Sequence, residues 1–264
     1  MASPAEIREH YDSLAFIYRT FWGNHIHHGL FVDGGEKAEE AQVRMLDRCR
    51  HWLNLRGGEH VLDVGCGHGG TLLYLAELLD CCGTGLTISP KQACIARESA
   101  AKAGLGDRLT FFVEDVATFP FPEAGFDTVW AMESSEHFAD KPKFLHKVQR
   151  TLRSGGQFLL AAWTGSMSSS RIRAVGRAFL CPELWTAAQY ESAVRSAGMS
   201  VTRCEDLTGQ VIRTWEICRE QARAARPIVK LLPRAAQEFV DGIDIILDAY
   251  RSGDLRYMVL VARK

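Results

Sequence analysis

The chain has 264 residues, of which 47% are hydrophobic and 24% charged, and its formal net charge is −1 at pH 7. The balanced charge argues against a nucleic-acid partner, which normally requires a basic face, and no apolar run approaches the roughly 18 residues of a membrane span. Eight cysteines without CxxC or zinc-type spacing, and a polar N-terminus unlike a signal peptide, predict a reduced, cytoplasmic protein without a bound metal.

Apolar residues recur at helical spacing near the N-terminus and predict helices over 5–21 and 36–54. From residue 59 onward, short apolar runs alternate with helical segments. The predicted strands are 60–65, 82–88, 108–115, 126–132 and 155–163. The predicted helices are 69–79, 89–103 and 140–152. This alternation indicates an α/β fold with a parallel sheet and helices on both faces.

After residue 163 the alternation lapses. A Ser- and Arg-rich segment leads to a predicted helix over 186–197 and a strand over 199–207. Two long amphipathic helices, over 209–226 and 233–251, precede a final strand over 256–262. We assign the apolar stripe of the last helix to the core, because such a stripe is more often core than pocket. Its residues are Phe239, Ile243 and Ile246.

The strongest local signal is the segment DVGCGHGG at 63–70, which joins a predicted strand to a predicted helix. Glycines at such a junction allow a tight turn and a close approach of a ligand to the backbone. The N–H groups at the helix N-terminus point toward the same place. This context favours a nucleotide-type cofactor over a purely structural turn. A dinucleotide would require an acidic residue at the end of the second strand, where this chain has Thr87.

LDVGCGHGG resembles the first motif of the class I S-adenosylmethionine (SAM) methyltransferases. VEDV at 113–116, FDTVWAMESSEHF at 126–138 and LRSGGQFLLAAW at 152–163 are similar to later motifs of that family, in the same order. The resemblance covers about residues 57–163. It implies a Rossmann-like, doubly wound, mostly parallel sheet of seven strands in the order 3-2-1-4-5-7-6. It also implies SAM as the cofactor and S-adenosylhomocysteine as its product.

More narrowly, FWGNHIHHGLF, GLTISPKQ and WAMESSEH are similar to the γ-tocopherol methyltransferase-like branch. That resemblance implies a small-molecule acceptor from natural-product metabolism, with an aromatic or isoprenoid body, methylated at a carbon or at an amine nitrogen. We expect one methyltransferase domain over 1–264. Its expected parts are N-terminal helices with a lid (1–56), a SAM-binding core (57–163), a substrate-side helical insertion with strand six (164–255) and a final strand (256–264).

The same resemblance assigns the cofactor site. The glycines would hold the methionine part of SAM, and Asp115 would contact its adenine with Val116 beside the ring. Thr87 stands where the family usually has the acid that binds the ribose, so Thr87 and Gln92 become the ribose candidates. The predicted cofactor residues are, in chain order, Asp63, Gly65, Cys66, Gly67, Gly69, Thr87, Gln92, Asp115, Val116 and Glu133.

Strand four is followed by Glu133, Ser134, Ser135, Glu136 and His137. Three titratable groups in five residues suit acid–base chemistry, and the pKa of a histidine is best matched to neutral pH. The alternative is that the carboxylates cap the next turn and His137 packs against the cofactor, since proximity alone can accelerate methyl transfer. For a carbon acceptor, His28 and His137 are the first candidate bases. For an amine, Glu133 would orient the nitrogen.

The HxHH segment at 25–28 is expected to fold over the site as a lid and to line the acceptor pocket. The alternative is a turn whose histidines bond to local backbone groups. A metal site is disfavoured, because no Cys, Asp or Glu stands at ligand spacing. The predicted substrate-binding residues are Tyr18, Trp22, His25, His27, His28, His137, Trp163 and Trp215.

Two rival functions remain open on the sequence alone. The first is a non-catalytic, SAM-binding regulatory protein, and the second is a nucleotide-dependent oxidoreductase on the same type of sheet. A nucleic-acid or protein methyltransferase is a third possibility, which the neutral charge and the lack of a recognition domain disfavour.

Overall fold

The structure is a computed structural model that describes residues 3–21, 23, 25–225, 229 and 234–264, but not the side chains of residues 16–21. Its strands are β1 (His60–Val64), β2 (Cys82–Thr87), β3 (Leu109–Val113), β4 (Phe126–Met132), β5 (Leu152–Thr164), β6 (Ser200–Asp206) and β7 (Arg256–Arg263). They form one seven-stranded sheet in the order β3-β2-β1-β4-β5-β7-β6, which confirms the predicted order. Strands β1 to β5 run parallel, and β7 runs antiparallel to β5 and β6.

The helices flank this sheet and precede it. They are α1 (Pro4–Phe21), α2 (Ala38–Trp52), α3 (Gly70–Leu79), α4 (Pro90–Lys102), α5 (Lys141–Thr151), α6 (Ser170–Ala178), α7 (Ala187–Ser196), α8 (Thr208–Val211), α9 (Arg213–Ala224) and α10 (Arg234–Arg251). A short 3₁₀ helix, Ser135–His137, follows β4. Helix α10 packs against α1, α6 and α9, so the N-terminal helix and the insertion lie together.

Two helical segments differ from the sequence prediction. Helix α6 lies in the segment for which no element was predicted. Its N-cap Ser169 accepts hydrogen bonds from two backbone N–H groups. Its buried face consists of three residues, Ile172, Val175 and Gly176. The helix expected over 209–226 is divided into α8 and α9, and the hydroxyl of Thr208 at the start of α8 accepts a hydrogen bond from the β7 backbone.

Side chains of the central strands alternate between two buried clusters, because successive side chains of a strand point to opposite faces. In β5, for example, Leu159 belongs to one cluster and Phe158 and Leu160 to the other. The first cluster includes residues of α2, α3, α6 and α10, and the second includes residues of α5 and α7. Ile243 and Ile246 are buried in the first cluster, as expected. No helix in the part of the chain that the structure describes could span a membrane.

Candidate active site

A cavity of about 310 Å³ opens where β1, β2 and β4 end. These strands are parallel neighbours, so the loops after them meet at one edge of the sheet. Residues of α1 and of the segment 26–28 line one side of the cavity, and Trp163, Trp215 and Phe239 line another. The cavity therefore joins the glycine loop to the segments that precede and follow the core.

The glycine loop after β1 has a shape that excludes side chains. Gly65 has a left-handed φ of +85°, and a Cβ on it would lie 2.3 Å from the Cβ of Ser134. A Cβ on Gly69 would lie 2.9 Å from the ring of Phe111. Gly65 and Gly67 both line the cavity, and at Gly67, with a φ of +52°, an added Cβ would meet no atom closer than 3.4 Å. Two of the glycines are therefore required for packing, and Gly67 offers bare backbone to a ligand.

Asp63 and Cys66 lie behind this loop and outside the cavity lining. Asp63 is 3% exposed, and its Oδ2 has no hydrogen-bond partner among the described residues. Burial raises the pKa of Asp63 to about 7, and burial also raises the pKa of the Cys66 thiol. The Cys66 sulfur fills the space beside Gly85 of β2. Cys66 thus has a packing role, and Asp63 keeps an unused hydrogen-bond acceptor behind the loop.

The end of β2 presents an amide to the cavity. The Thr87 hydroxyl donates to the Oε1 of Gln92 at 2.8 Å and accepts from the backbone N–H of Ser89 at 3.2 Å. Ser89 caps α4. Thr87 and Gln92 both line the cavity. Because the carbonyl end of Gln92 is bonded to Thr87, its NH₂ end is left to donate to another group.

Asp115 and Val116 line the cavity on the loop after β3. The Oδ1 of Asp115 accepts a hydrogen bond from the backbone N–H of Ala117 at 2.8 Å, which holds the loop in a turn. The ammonium group of Lys147 donates to the carbonyls of Val116 and Ala117, each at 2.8 Å. The loop is therefore fixed from both sides, and the second carboxylate oxygen of Asp115 is not used by this turn.

Glu133, directly after β4, carries a fully bonded carboxylate. Its Oε1 accepts from the backbone N–H of His28 and the hydroxyl of Tyr257, both at 2.8 Å. Its Oε2 accepts from the Nδ1 of His28 at 2.8 Å and the indole N–H of Trp163 at 3.3 Å. Burial by itself raises the pKa of Glu133, but the electrostatic interaction and the hydrogen bonds with His28 outweigh burial and lower it. Glu133 is thus an ionised, buried carboxylate at a backbone φ of +51°.

His28 is held by the same contacts and is 2% exposed. Its Nε2 lies 2.7 Å from the indole nitrogen of Trp215 and 3.3 Å from the hydroxyl of Tyr250. An indole N–H can only donate, so Nε2 carries no proton and the proton of the ring is on Nδ1, facing Glu133. Both ring nitrogens are therefore occupied. This geometry speaks against His28 as a base, because its lone pair is already bonded to Trp215.

His137 connects the 3₁₀ helix to α1. Its Nδ1 donates to the carbonyl of Leu180 at 3.3 Å, and its Nε2 accepts from the hydroxyl of Tyr11 at 2.8 Å. Burial lowers the pKa of His137 to about 4, so the ring is neutral at pH 7. Beside Tyr11, the backbone carbonyl of Asp12 accepts from the Lys91 ammonium at 3.0 Å, and the Asp12 carboxylate bonds to Ser89. Helix α1 is thus attached at two points beside the cavity.

Glu136 differs from Glu133 although the two are three positions apart. It is 2% exposed, and its Oε1 accepts from the backbone N–H of Trp163 at 2.6 Å. Its Oε2 is buried without a hydrogen-bond partner among the described residues, and Glu136 lines the cavity. Burial raises the pKa of Glu136 to about 8. Near neutral pH this side chain is therefore mostly a neutral carboxylic acid with one unused oxygen.

Four aromatic side chains form a wall of the cavity: Trp163, Phe179, Trp215 and Phe239. The ring of Phe179 lies 5.3 Å from those of Trp163 and Trp215 and 6.0 Å from that of Phe239, between centroids and mostly edge to face. Phe239 was assigned to the core. It is buried, but the structure also places it in the cavity lining, because α10 packs against α6 and α9 there.

The predicted site residues divide into three groups. Those in the cavity lining are Gly65, Gly67, Thr87, Gln92, Asp115, Val116, Glu133, His27, His28, His137, Trp163 and Trp215. Those outside it are Asp63, Cys66, Gly69 and His25. Trp22 and the side chain of Tyr18 lie outside the described residues. The roles assigned to these residues stay predictions.

Several residues of the cavity were not singled out from the sequence as site residues. Glu136 belonged to the cluster of titratable residues after strand four. Its free oxygen could not be recognised from the sequence, because it depends on which neighbours bond to Glu133 rather than to Glu136. Tyr11 lies in the predicted helix over 5–21 and carries no signal of its own. Phe179 follows the unpredicted helix α6. Tyr250 contacts His28 from 222 residues away in sequence and Tyr257 contacts Glu133 from 124 residues away, and no local pattern marks such a contact.

Residues 2–241 match the family model described as mycolic acid cyclopropane synthetase. The 27-O-demethylrifamycin SV methyltransferase of Amycolatopsis mediterranei (strain S699) is 32% identical to this chain and covers 99% of it and 98% of its own length. The chloroplastic tocopherol O-methyltransferase of Arabidopsis thaliana is 28% identical and covers 98% of this chain and 81% of its own. The resemblance to SAM-dependent methyltransferases and to their tocopherol-type branch is thereby confirmed.

Two solved structures show the same fold over the whole chain. Mycolic acid cyclopropane synthase CmaA1, solved with SAH and CTAB, has a TM-score of 0.88 at 21% identity and covers 100% of this chain and 99% of its own. The [4+2]-cyclase SpnF has a TM-score of 0.87 at 24% identity and covers 100% and 97%. These matches confirm the class I methyltransferase fold.

We expect Gly65→Ala to destabilise the protein more than Gly104→Ala. Both glycines have a left-handed φ, +85° and +70°, which costs an alanine about 1 kcal/mol or more. The Cβ at Gly104 meets open space, whereas the Cβ at Gly65 overlaps Ser134. The overlap adds about 1–3 kcal/mol. Urea unfolding measures the unfolding free energy of both variants. Equal losses in the two would show that the overlap between the new Cβ and Ser134 adds no cost.

We expect Tyr11→Phe to loosen α1 without unfolding the protein. The variant loses the bond to His137, which contributes about 1 kcal/mol, so amide hydrogen exchange in α1 should become about fivefold faster. Tyr74→Phe is the matched control, because that hydroxyl bonds to Asp47 away from the cavity. Exchange rates in α1 that are the same in Tyr11→Phe as in the parent would show that this bond does not hold the helix.

Proposed function

Since the chain belongs to the mycolic acid cyclopropane synthetase family of SAM-dependent methyltransferases, we propose that its methyl acceptor is an uncharged small molecule with an aromatic or isoprenoid body. The observation that carries the proposal is the cavity itself. Its lining includes both the glycine loop and the aromatic wall of Trp163, Phe179, Trp215 and Phe239. Aromatic side chains offer large apolar area to a flat or branched hydrocarbon ligand.

The described residues fit SAM. Gly67 offers backbone without a side chain, the Gln92 amide has a free NH₂ end for the ribose, and Asp115 has a free oxygen for the adenine. We propose Gly65 and Gly67 for the methionine part and Val116 for the face of the adenine ring. When bound, SAM supplies an activated methyl group on a sulfonium. The protein has to place the acceptor against that group and exclude water.

The charges around the cavity support an uncharged acceptor. The lysine side chains in the described lining are Lys143 and Lys147, both on α5, and Lys147 is bonded to the loop of Val116. A phosphate or carboxylate on the acceptor would require a cationic partner at its own end of the cavity. Near the aromatic wall the described lining offers neutral histidines and the carboxyl groups of Glu133 and Glu136 instead.

Where the acceptor loses a proton, we propose Glu136 as the group that takes it. The lone pair of His28 is bonded to Trp215, and Glu133 already accepts four hydrogen bonds. His137 accepts from Tyr11, and its low pKa makes it a weak base. The Oε2 of Glu136 is free, and a pKa of about 8 gives its ionised form the basicity that proton transfer near neutral pH requires.

We also propose that the protein acts in the cytoplasm and without nucleic acid. All eight cysteines are free thiols, as in reducing compartments, and the net charge of −1 gives no general attraction to a polyanion.

The proposed function is tested by a SAM-consumption screen against phenols, prenyl compounds, amines and fatty acids. We expect transfer to an uncharged apolar acceptor, with S-adenosylhomocysteine as product.

Thermal unfolding with SAM, S-adenosylhomocysteine and NAD added separately identifies the bound cofactor, because ligands of the native state raise the melting temperature. Stabilisation by SAM with no transfer to any acceptor would favour a non-catalytic SAM-binding protein. Stabilisation by NAD would favour an oxidoreductase.

We expect Glu136→Gln to lower kcat by about 10²-fold or more, with the dissociation constant of SAM nearly unchanged. Because the pKa of Glu136 is raised to about 8, its ionised form is scarce below that pH, so kcat of the parent should rise with pH through 8. The variant should lack this rise. The exposed Glu123→Gln is the control. A parent kcat that falls as pH rises through 8 would assign Glu136 to proton donation instead.

A further inference from the structure

The two tryptophans of the aromatic wall are bonded to one His–Glu pair. The indole N–H of Trp163 donates to Glu133 Oε2 at 3.3 Å, and the indole N–H of Trp215 donates to His28 Nε2 at 2.7 Å. His28 Nδ1 joins the pair through its bond to Glu133 at 2.8 Å. A bonded indole nitrogen fixes how the ring is turned about its link to the backbone. The pair therefore determines the orientation of both rings.

The bonds of this network have one direction. Trp215 can only donate to His28, so His28 must donate to Glu133 through the opposite ring nitrogen. A carboxylate at Glu133 accepts from His28 and Trp163 on the same oxygen. If the group at position 133 donated a hydrogen bond to His28 Nδ1, the imidazole proton would have to move to Nε2. It would then face the indole N–H of Trp215, so that two donors would oppose each other. A change at Glu133 is therefore transmitted to Trp215, with which it shares no bond.

The backbone around His28 keeps the pair in place. The N–H of Gly29 donates to the hydroxyl of Thr214 at 3.0 Å, next to Trp215 in α9. The N–H groups of Leu30 and Phe31 donate to backbone carbonyls of α2 and α8, at 2.8 and 2.9 Å. The residues directly after the predicted lid segment 25–28 are thus attached to three helices, and they hold His28 as a fixed support for the wall.

We propose that His28 and Glu133 are positioning residues, which hold Trp163 and Trp215 in the orientation that recognises the acceptor. The proposal rests on the proposed function, because it concerns the same aromatic wall. It gives His28 a role other than that of a base and Glu133 a role other than that of a cofactor ligand. Both act on the acceptor through the two indole rings, so the affinity for the acceptor should depend on them more than the affinity for SAM.

Glu133→Gln is the main test, because it keeps the size of the side chain and replaces one acceptor oxygen with a donor. The chain has six tryptophans, and ¹⁵N-labelled indole groups give one NMR signal each. Trp163→Phe, Trp215→Phe and Trp185→Phe assign the three signals that matter. We expect Glu133→Gln to move the signals of both Trp163 and Trp215. Trp185, whose indole donates to Glu183 outside the cavity lining, is the matched control and should not move.

Kinetics gives the second readout. We expect Glu133→Gln and Trp215→Phe each to raise the KM for the acceptor about tenfold, because each variant loses at least one buried hydrogen bond. The change in kcat should be smaller, and the dissociation constant of SAM should stay the same. Trp185→Phe should change none of the three. Melting temperatures show whether each variant is folded, and Trp215→Phe tests the wall if Glu133→Gln does not fold.

The outcomes separate this proposal from the proposed function. A Trp215 signal that stays in place in Glu133→Gln, or an unchanged acceptor KM in both variants, would overturn the positioning role while methyl transfer still stands. Failure to find any methylated acceptor would overturn the proposed function. The NMR experiment needs no acceptor and would still decide whether the pair orients the two indole rings.

Discussion

The acceptor end of the cavity depends on how one buried charge is satisfied. A carboxylate without partners in a protein interior costs several kcal/mol, and breaking one bonded pair typically costs about 3–5 kcal/mol. Glu133 meets this constraint with four donors from three separate parts of the chain: His28, Trp163 and Tyr257. The same contacts hold its backbone at a φ of +51°, a conformation that costs about 1–3 kcal/mol and persists only because the surroundings fix it. The buried charge of Glu133 therefore fixes the positions of His28, Trp163 and Tyr257 around it.

The two carboxyl groups after β4 show how local surroundings set different chemistry. Glu133 accepts four hydrogen bonds, and its pKa is lowered even though it is buried. Glu136 accepts a single bond from the Trp163 backbone and keeps one free oxygen, and burial raises its pKa to about 8. Two like groups whose pKa values are driven apart can serve different purposes. One supports the wall as an anion, and the other can exchange a proton in the cavity.

The cavity lining at the ends of β1 and β2 was predictable from the sequence. On the aromatic wall, Phe179 and Phe239 were not predicted as lining residues, and the bonds of the two tryptophans were not predicted. Gly65 and Gly67 lie on the loop after β1 and Gln92 in the first turn of α4, all within 28 residues of the chain. The strand order was implied by the family resemblance, and the structure has the same order. The bond between His28 and Trp215 joins positions 187 residues apart, and it exists only because α9 packs against the segment after α1. Hydrophobic periodicity contains no information about such a contact, and for the same reason it could not show that Phe239 faces a cavity.

This division bears on how the fold can serve different acceptors. A [4+2]-cyclase and a cyclopropane synthase share the fold of this chain at 24% and 21% identity, so the fold by itself does not determine the reaction. Three residues of the aromatic wall, Phe179, Trp215 and Phe239, lie in the insertion after β5. The wall is bonded to the rest of the chain through Trp163 and Glu133 and through Trp215 and His28. Trp215 lies on α9, whereas Gly67 lies on the loop after β1 and Gln92 on α4. Acceptor recognition can therefore change in this architecture without any change in the part of the cavity that fits SAM.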